Sequence, residues 1–485
     1  MNRRSVLKSL AAGALGLAAR PALGEASPQS RSADGGPNVI LCMADDQGWG
    51  DAGYNGHPFL KTPNLDAMSK AGLRFDRFYS GAPVCSPTRG SAITGRHPYR
   101  YGIYTANTGH MRKQEMTLAE ALKAQGYTTG HFGKWHLGTL TNYIPDGRRG
   151  GKQREHFAPP WENGFDESFA AEVQMPTWDP MKNQAFPSKC WTGPGEYATD
   201  NLEGDDSRVI MDRAISFIRG AVREGKPFLA VIWFHAPHAP VVAEPGYRKM
   251  YSEFSEGEQH FYGCITALDE QVGRLRKELR NLGAAENTMF WYCSDNGPEG
   301  RTHDEGTYRG SMRGLRSRKR SLFEGGVRVP GILEWPARIA GGGGATDGPC
   351  STSDYFPTVL GALGIEAEGR PQPADGVNLM PLIEGKMRAR PHPIAFQTPD
   401  NDERGKAQRL GSPDHALIGN RYKFLSYLDE ARGAEDMLFD IAIDPGERRN
   451  LVEARPEVAR SMKEALKAWE GSCARSERGE DYPTG

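Results

Sequence analysis

The chain has 485 residues, enough for one large α/β domain with a smaller companion, or for two to three average domains. Its 60 Lys and Arg residues nearly balance its 61 Asp and Glu residues, and 38% of its residues are hydrophobic. This composition is typical of a globular protein, and the charge balance argues against binding to nucleic acids or membrane surfaces through bulk charge.

The first 24 residues have the features of an export signal. Arg3 and Arg4 precede an apolar stretch at residues 9–19 that is too short to span a bilayer, and small residues follow at 22–24. The arginine pair resembles a bacterial twin-arginine signal, which predicts export to the periplasm or the outside of the cell. The alternatives are an ordinary secretory signal or a disordered tail. Residues 25–36 are expected to form a disordered linker, and no later stretch predicts stable insertion into a membrane.

From Pro37 onward, apolar runs of strand length alternate with helical periodicity. The run NVILCMA is typical of a parallel strand buried on both faces, and TLAEALKAQGYTTGHFGK predicts a helix, a stop at Gly126 and a second strand. Further strands are predicted at FLAVIWF and MFWYC. The helix between them begins near Ser255, where Glu258 completes a capping box, and ends at Gly283. The alternation predicts an α/β fold with a large doubly wound, mostly parallel sheet flanked by helices.

Two later regions break this pattern. Residues 139–205 show no periodicity and carry several aromatic side chains, so we expect a long irregular segment that is either a substrate-facing wall or a surface insertion. Near the C-terminus, the short strand-like pieces HALIGN, YKFLSYL and DMLFDI precede a helix at about residues 456–470. We therefore predict a main domain at residues 37–385 and a C-terminal α+β subdomain at residues 386–485, with a small antiparallel sheet and a terminal helix.

The seven cysteines leave at least one thiol unpaired in a monomer, and their pairing is otherwise open. Cys42 and Cys293 lie in apolar runs, where a buried free thiol is expected. Cys85 is different, because it lies in the turn-forming stretch VCSPTRGSAITGR at the start of a predicted helix. A cysteine there could be a nucleophile, half of a disulfide, a small buried side chain or the precursor of another group.

Polar side chains follow four of the predicted strands, at the points where the strands end. They are Asp45 and Asp46 after NVILCMA, Lys134 and His136 in GKWHLG, His235 and His238 in HAPH, and Asp295 and Asn296 in CSDNG. The carboxyl ends of parallel strands meet at one edge of a sheet, where ligands bind in open α/β folds. Carboxylate and amide oxygens favour Ca²⁺ or Mg²⁺, so the pattern indicates a metal-dependent hydrolase.

The stretch CSPTRGSAITGR contains a Cys-x-Pro-x-Arg pattern, and with it the chain resembles the type I sulfatases of the alkaline phosphatase-like superfamily, including carbohydrate sulfatases and arylsulfatases. The segment GKWHLG is similar to the second signature of that family. Other family-like segments occur in the same chain order, namely LCMADDQGWGDAGYNG, TPNLDAMSKAGLRF, HAPHAP, CSDNG, KRSLFEGGVRVPGI and LFDIAIDPGERRNL. The resemblance covers about residues 37–451.

The resemblance implies that Cys85 is a precursor. In that family the cysteine is oxidised to formylglycine (3-oxoalanine) by a formylglycine-generating enzyme, which reads the positions of Pro87 and Arg89. The hydrated aldehyde would attack the sulfur of a sulfate ester, and its second hydroxyl, once deprotonated, would expel sulfate. A helix start suits this chemistry, because its free backbone N–H groups favour an anion.

The resemblance also implies a metal site and an anion site. The ligands of a divalent metal, usually Ca²⁺ with Mg²⁺ left open, would be Asp45, Asp46, the modified Cys85, Asp295 and Asn296. Lys134 and Lys319 would hold the sulfate oxygens, and Arg89 would orient the hydrated aldehyde. Lys319 lies in RSRKRS, and its spacing of five positions before Glu324 favours it over its basic neighbours.

Two histidines carry the proton steps in this interpretation. His136 would be the base that releases sulfate, and His238 the donor to the leaving oxygen, whereas His235 is expected to be a structural neighbour. The basic segment at residues 301–320 is either a solvated loop or a subsite for further anionic groups of a glycan.

The predicted activity is hydrolysis of a sulfate monoester to an alcohol and inorganic sulfate. A sulfated carbohydrate is the expected substrate, because HAPHAPVVAEPGY and the loop aromatics resemble glycan-directed members, although the aromatics fit an aryl sulfate equally. Three alternatives stay open. They are a phosphonate or phosphodiester hydrolase of the same superfamily, a non-catalytic binder of sulfated glycans with Cys85 unconverted, and a cysteine hydrolase that pairs Cys85 with His136 or His238.

Overall fold

The computed structural model describes residues 36–149, 154–299, 310–339, 342, 344–365, 372–398, 412–427 and 435–482. The predicted export signal and nearly all of the predicted linker lie outside the described residues, as does the first half of the basic segment at residues 301–320. All seven cysteines lie in the described part of the chain, and all of them are free and buried, as expected for Cys42 and Cys293.

Strands and helices alternate along the described chain. The α-helices are α1 (Pro63–Ala71), α2 (Cys85–Thr94), α3 (Leu118–Lys123), α4 (Asp206–Arg223), α5 (Pro245–Lys249), α6 (Glu256–Asn281), α7 (Glu324–Val327), α8 (Tyr355–Ala362), α9 (Met380–Ile383) and α10 (Pro456–Glu477). The strands are β1 (Asn38–Ala44), β2 (Leu73–Phe75), β3 (Phe78–Tyr79), β4 (Thr128–Lys134), β5 (Glu167–Ala171), β6 (Trp191–Gly193), β7 (Glu196–Tyr197), β8 (Phe228–Trp233), β9 (Thr288–Ser294), β10 (Arg328–Val329), β11 (Gly331–Glu334), β12 (Ala345–Thr346), β13 (Cys350–Ser351), β14 (Ile394–Gln397), β15 (His415–Ile418), β16 (Tyr422–Ser426) and β17 (Met437–Asp440).

A ten-stranded sheet forms the centre of the described structure, in the order β12-β2-β11-β9-β1-β8-β4-β5-β6-β7. Its central strands β9, β1, β8, β4 and β5 are all parallel, whereas β11 and β6 join this block in the antiparallel direction. The predicted α/β fold with a doubly wound, mostly parallel sheet is confirmed.

The alternating side chains of β1 enter two different cores. Val39 and Leu41 pack on one face of the sheet with residues of α3 and α8, and Ile40 and Cys42 pack on the other face with residues of α4 and α6. Burial on both faces explains why β1 reads as a continuous apolar run rather than an alternating one. The predicted capping box at the start of α6 is also present, since Ser255 and Glu258 satisfy each other's backbone N–H groups.

The prediction of an irregular segment at residues 139–205 is wrong at β5. This strand pairs in parallel with β4 inside the main sheet, and four of its five residues are buried. Its sequence, ESFAA, has one large apolar side chain and two alanines, so it lacks the hydrophobic signal of the other central strands. The short strands β6 and β7 follow at the sheet edge.

The C-terminal part contains a second, smaller sheet of four antiparallel strands, in the order β14-β15-β16-β17. Helix α10 packs on this sheet and also contacts the short 3-10 turn Pro98–Tyr101 of the main part. The helix is longer than predicted, because Ser472 and Ser476 both accept hydrogen bonds from Arg100 and so hold its last turns against the main part. Among the described residues, no helix has the length and apolar character to cross a membrane.

Candidate active site

Four parallel strands end side by side, and the residues that follow them form the candidate site. Met43 of β1 is paired with Trp233 of β8, and Trp233 is paired in turn with Gly133 of β4. Ala44 at the end of β1 is paired with Ser294 of β9. The chain therefore leaves all four strands at the same edge of the sheet, as the sequence predicted from the positions of the polar residues.

Helix α2 begins at the same edge. The Ser86 hydroxyl donates to the carbonyl oxygen of His136 over 2.7 Å, and this bond ties the first turn of α2 to the chain that follows β4. Cys85 is the first residue of α2 and is only 2% exposed. The predicted nucleophile position therefore lies buried at a helix N-terminus, beside the strand ends.

The acidic residues after β1 and β9 interlock. The backbone N–H of Asp46 donates to Oδ1 of Asp295 over 3.1 Å, and the amide nitrogen of Asn296 donates to Oδ1 of Asp46 over 2.7 Å. Asp45, Asp46, Asp295 and Asn296 are all buried. Asp46 adopts φ of 67°, a left-handed backbone conformation that costs energy for residues other than glycine. The fold thus holds a strained residue in place to bring these oxygens together.

Three cations surround the acidic residues. Lys134 Nζ donates to Oδ2 of Asp45 over 2.7 Å, Arg89 Nη2 donates to Oδ2 of Asp295 over 2.6 Å, and Lys319 Nζ donates to Oδ1 of Asp46. All three side chains are almost completely buried. The guanidinium group of Arg89 also lies 5.2 Å from the ring centroid of Trp233 in β8, which holds it in place.

Several oxygens of this cluster lack a partner. Asp45 Oδ1, Asp46 Oδ2 and Asn296 Oδ1 are buried and accept no hydrogen bond from the described residues. Ligand atoms of Asp45, Cys85 and Asp295 lie within 4.8 Å of one another. Buried polar atoms normally have partners, and the carboxylate and amide oxygens of this cluster are hard ligands, so the residues present fit a divalent cation such as Ca²⁺ or Mg²⁺.

The charges of the site act strongly on its carboxylates. Burial raises the pKa of Asp45, but the positive charges around it, of which Lys134 acts most strongly, together outweigh burial and hold that pKa below its ordinary value. Burial and the neighbouring charge of Asp45 raise the pKa of Asp295 to about 7. The two carboxylates thus oppose each other's ionisation, which a bound divalent cation would relieve.

His136 is buried, and burial, with the charge of Lys134, lowers its pKa well below the ordinary value. Its Nε2 lies 2.8 Å from Oδ1 of Asn107. With that oxygen as the acceptor, Nε2 carries the proton and Nδ1 keeps its lone pair, and Nδ1 has no partner among the described residues. A neutral imidazole in this form can accept a proton.

The two histidines of HAPH lie in different surroundings. His238 Nε2 lies 3.6 Å from Oδ2 of Asp46, and its side chain is 16% exposed. His235 Nδ1 lies 2.9 Å from Oδ2 of Asp206 at the start of α4, on a buried side chain. Of this pair, His238 is the one that lies beside the acidic cluster, and its catalytic role stays a prediction.

The structure brings all ten predicted site residues to this edge of the sheet and adds three that the sequence did not indicate. These are Asn107, which contacts His136, and the buried ion pair of Arg149 with Glu172. No sequence signal marked them: Asn107 and Arg149 lie on loops, and Glu172 directly follows β5, a strand that the sequence did not predict. In the basic segment, Arg316 and Arg318 donate to backbone carbonyls of the protein itself.

The profile of the sulfatase family matches residues 37–365, which are well over half of the chain and include all ten site residues. The chain belongs to the sulfatase family. The second profile describes the C-terminal part of N-sulphoglucosamine sulphohydrolase and matches residues 316–471 of this sulfatase.

Known proteins agree with this assignment. The sulfatase is 32% identical to arylsulfatase A of Bos taurus over 472 residues, which cover 90% of this chain and 87% of that protein. It is 34% identical to N-acetylgalactosamine-6-sulfatase of Mus musculus over 380 residues, covering 73% and 68% of the two chains. Its fold matches that of Ps i-CgsB, solved in complex with k-i-k-neocarrahexaose, with a TM-score of 0.77, 24% identity and coverage of 90% and 93%.

The protein is thus a type I sulfatase of the alkaline phosphatase-like superfamily and a sulfuric ester hydrolase. The predicted fold class and the predicted hydrolysis of sulfate esters are confirmed. The roles of the individual site residues, the identity of the metal and the modification of Cys85 stay predictions, and we take them up next.

Proposed function

We propose that this sulfatase is an exported bacterial enzyme that removes sulfate from a sulfated carbohydrate with a formylglycine made from Cys85. The observation that carries the proposal is the group of unpartnered oxygens on Asp45, Asp46 and Asn296, beside the helix start that holds Cys85. The proposed domain at residues 37–385 carries this site, and the proposed C-terminal subdomain at residues 386–485 packs beside it. The export route rests on the N-terminal sequence alone.

Formylglycine supplies a hydrated aldehyde, whose hydroxyl is a nucleophile toward the sulfur of the ester. The surroundings of Cys85 support this use, because a buried residue at the start of α2 is held rigidly and faces free backbone N–H groups. The maturation partner is a formylglycine-generating enzyme that would act on the unfolded or exposed signature at Cys85–Arg89.

Asp45, Asp46, Asp295 and Asn296, together with residue 85, would hold the metal, for which Ca²⁺ is the expected ion and Mg²⁺ the alternative. The ion supplies positive charge that polarises the nucleophile and a sulfate oxygen. The four side chains already meet within the cluster, so binding requires no large movement of the strands that carry them.

The cations around the cluster would bind the sulfate group. Lys134 and Lys319 each contact one aspartate of the pair after β1, so their remaining N–H donors can point toward the sulfate oxygens. Arg89 bridges Asp295 and the carbonyl oxygen of Lys134, a geometry that orients the chain around residue 85. This arrangement stabilises the charge that develops on the sulfate oxygens in the transition state.

The proton steps are assigned to the two histidines. His136 would accept a proton at Nδ1, which has a free lone pair and no hydrogen-bond partner in the described part of the chain. His238 would donate a proton from Nε2 to the oxygen of the leaving alcohol. Its Nδ1 lies 2.7 Å from the carbonyl oxygen of Ala239 and carries a proton too, so the donor is the cationic ring, a form that the charge of Asp46 near Nε2 favours.

A carbohydrate is the proposed substrate because several relatives are named for sulfated sugars, among them N-acetylgalactosamine-6-sulfatase. Aryl sulfates are a second candidate, favoured by the match to arylsulfatase A over 90% of this chain. The exposed Tyr143 and Tyr197 contact the ring of Trp191 and offer flat apolar surfaces that fit either class.

The proposal is tested by comparing kcat/KM on N-acetylgalactosamine 6-sulfate, 4-nitrophenyl sulfate and 4-nitrophenyl phosphate, before and after treatment with a chelator. We expect both sulfates to be preferred over the phosphate by at least about 100-fold, and chelation to abolish turnover until Ca²⁺ or Mg²⁺ is restored. A preference for the phosphate would indicate a phosphoester hydrolase of the same superfamily. Turnover that resists the chelator and is lost on thiol alkylation would indicate a cysteine hydrolase.

A further inference from the structure

Arg149 has a buried guanidinium group that is only partly used within the protein. Its side chain is 1% exposed, and its Nη1 donates to Oε1 of Glu172 over 2.9 Å. Its Nε and Nη2 are buried and have no partner among the described residues. These two nitrogens lie on the same edge of the planar group, where their N–H bonds form a fork that matches a carboxylate or sulfate.

The pair lies directly beside the active site. Glu172 follows the last residue of β5, and its carbonyl oxygen accepts the backbone N–H of His136 over 3.1 Å. The positive charge of Arg149 acts on both Cys85 and His136. Arg149 is therefore close enough to the reacting residue for the two side chains to interact electrostatically.

The loop that carries Arg149 is built to hold it there. The Glu172 carboxylate accepts the backbone N–H of Arg148 over 2.8 Å, and Gly147, with φ of 60°, lies so close to it that a Cβ would meet Oε2 at 2.1 Å. A glycine at this position lets the loop close over Glu172. Arg149 is thus held in position by the backbone hydrogen bond of Arg148, by the close approach of Gly147 to Glu172 and by its own ion pair with Glu172.

Glu172 alone does not fully compensate the buried charge and N–H donors of Arg149. Burial lowers the pKa of Arg149 and raises the pKa of Glu172, and the attraction between the two side chains does not cancel these shifts. The buried pair of Arg390 and Asp354 shows the contrast, because there both terminal nitrogens of the arginine donate to the carboxylate. A third charged group on the free edge of Arg149 would complete the first pair in the same way.

We infer that the Nε and Nη2 edge of Arg149 binds a second oxyanion, a carboxylate or a sulfate, on the same substrate molecule whose sulfate ester is cleaved. The inference rests on the proposed function, in which Lys134 and Lys319 already hold the reacting sulfate. Arg149 is then left for another group of the substrate, and the enzyme selects esters with at least two negative charges. Arg149 transfers no proton in this role and acts by hydrogen bonding alone.

The test uses phenyl sulfates that carry a carboxylate or a second sulfate at the ortho, meta or para position. Their neutral partners carry a methyl ester or a hydroxyl at the same position. At one or more positions we expect kcat/KM of the unaltered enzyme to be at least about tenfold higher for the anionic member of the pair. The Arg149→Lys variant keeps the charge but loses the fork, so the preference should fall below about threefold. The favoured group identifies the oxyanion as carboxylate or sulfate.

The matched control is Arg148→Met, which removes the neighbouring exposed arginine and should keep the preference. If Arg149→Lys does not fold, the double variant Arg149→Met with Glu172→Gln removes the fork without leaving a buried unpaired carboxylate. Provided that phenyl sulfate itself is turned over, either of two results would overturn the inference. The first is no preference for the anionic ester in the unaltered enzyme, and the second is a preference that survives in the Arg149 variants. Absence of any turnover of phenyl sulfate would overturn the proposed function as well.

Discussion

Two groups of buried carboxylates in this sulfatase are built in opposite ways. Asp354, at the start of α8, has a fully buried side chain whose two oxygens accept four hydrogen bonds. Oδ1 accepts from the backbone of Val377 and from Arg390, and Oδ2 accepts from the backbone of Ser351 and from Arg390, all at 2.6–2.8 Å. At the edge of the main sheet, one oxygen each of Asp45, Asp46 and Asn296 is equally buried but accepts no hydrogen bond from the described residues.

The difference separates a structural charge from a binding site. Neither burial nor pairing with a cation distinguishes the two groups, since Arg390 and Lys134 are both buried beside their carboxylates. Of the two, only the strand-edge group has acceptors left free by the described residues, and these acceptors come from the two chain segments that follow β1 and β9. Unfilled hydrogen-bonding capacity is therefore the property that indicates a ligand here.

The largest expected effect comes from Asp295→Asn. Turnover of 4-nitrophenyl sulfate should fall by at least about 1,000-fold, because the variant removes a charged ligand of the proposed metal. The free energy of unfolding, measured in chelator at pH 8, should not decrease. Burial and Asp45 raise the pKa of Asp295 to about 7, so its ionisation costs stability at pH 8, and Arg89 keeps a second counter-charge in Asp45, whose Oδ2 lies 3.5 Å from Nη2. A loss of stability with little loss of turnover would remove the distinction between the two groups.

The opposite result is expected for Asp354→Asn. The variant leaves Arg390 buried without its charged partner, so the free energy of unfolding in urea should fall by about 3 kcal/mol. The value of kcat per folded molecule should stay within about twofold of the parent, since Asp354 lies outside the active site. An unchanged free energy of unfolding would show that the four hydrogen bonds of Asp354 do not stabilise the fold.

A smaller effect is expected for a buried histidine that carries no charge. Burial lowers the pKa of His97 from 6.5 to about 3, and its ring accepts the backbone N–H of Tyr99. Below pH 6.5 the unfolded chain binds a proton at His97 that the folded chain does not, so the free energy of unfolding falls as the pH falls from 6.5 toward 3. The loss through this residue is about 1 kcal/mol between pH 6.5 and 5.5.

His97→Gln keeps an acceptor for Tyr99 but cannot bind the proton. Urea unfolding of the parent and the variant between pH 7.5 and 5 should therefore show a shallower decline for the variant. Parallel declines would mean that His97 is not buried as a neutral ring, and that acid sensitivity arises at other histidines.

The parts of the fold with strong local signals could be predicted from the sequence. Strand β1 is buried on both faces and therefore has a continuous apolar sequence, and the start of α6 needs capping and therefore has Ser and Glu three residues apart. The convergence of Asp45, Lys134 and Asp295 followed from one rule, that the carboxyl ends of parallel strands share an edge.

The remaining features depend on contacts between distant segments. Strand β5 carries small residues that are buried because β4 lies beside them, and no periodicity reveals that neighbour. The position of Arg149 follows from β5, because Glu172 holds the loop only once the strand has placed it there. The last turns of α10 form beyond a glycine because Arg100 binds two of their serines.

The central claim is that the free oxygens at the sheet edge serve a converted residue at position 85. The most direct test is mass spectrometry of the intact protein and of the tryptic peptide that contains residue 85, on enzyme purified from its own host. The account predicts a peptide with the mass of an aldehyde at this position, which no longer reacts with a thiol alkylating reagent. An unmodified Cys85 that alkylates completely in active enzyme would contradict the proposed mechanism.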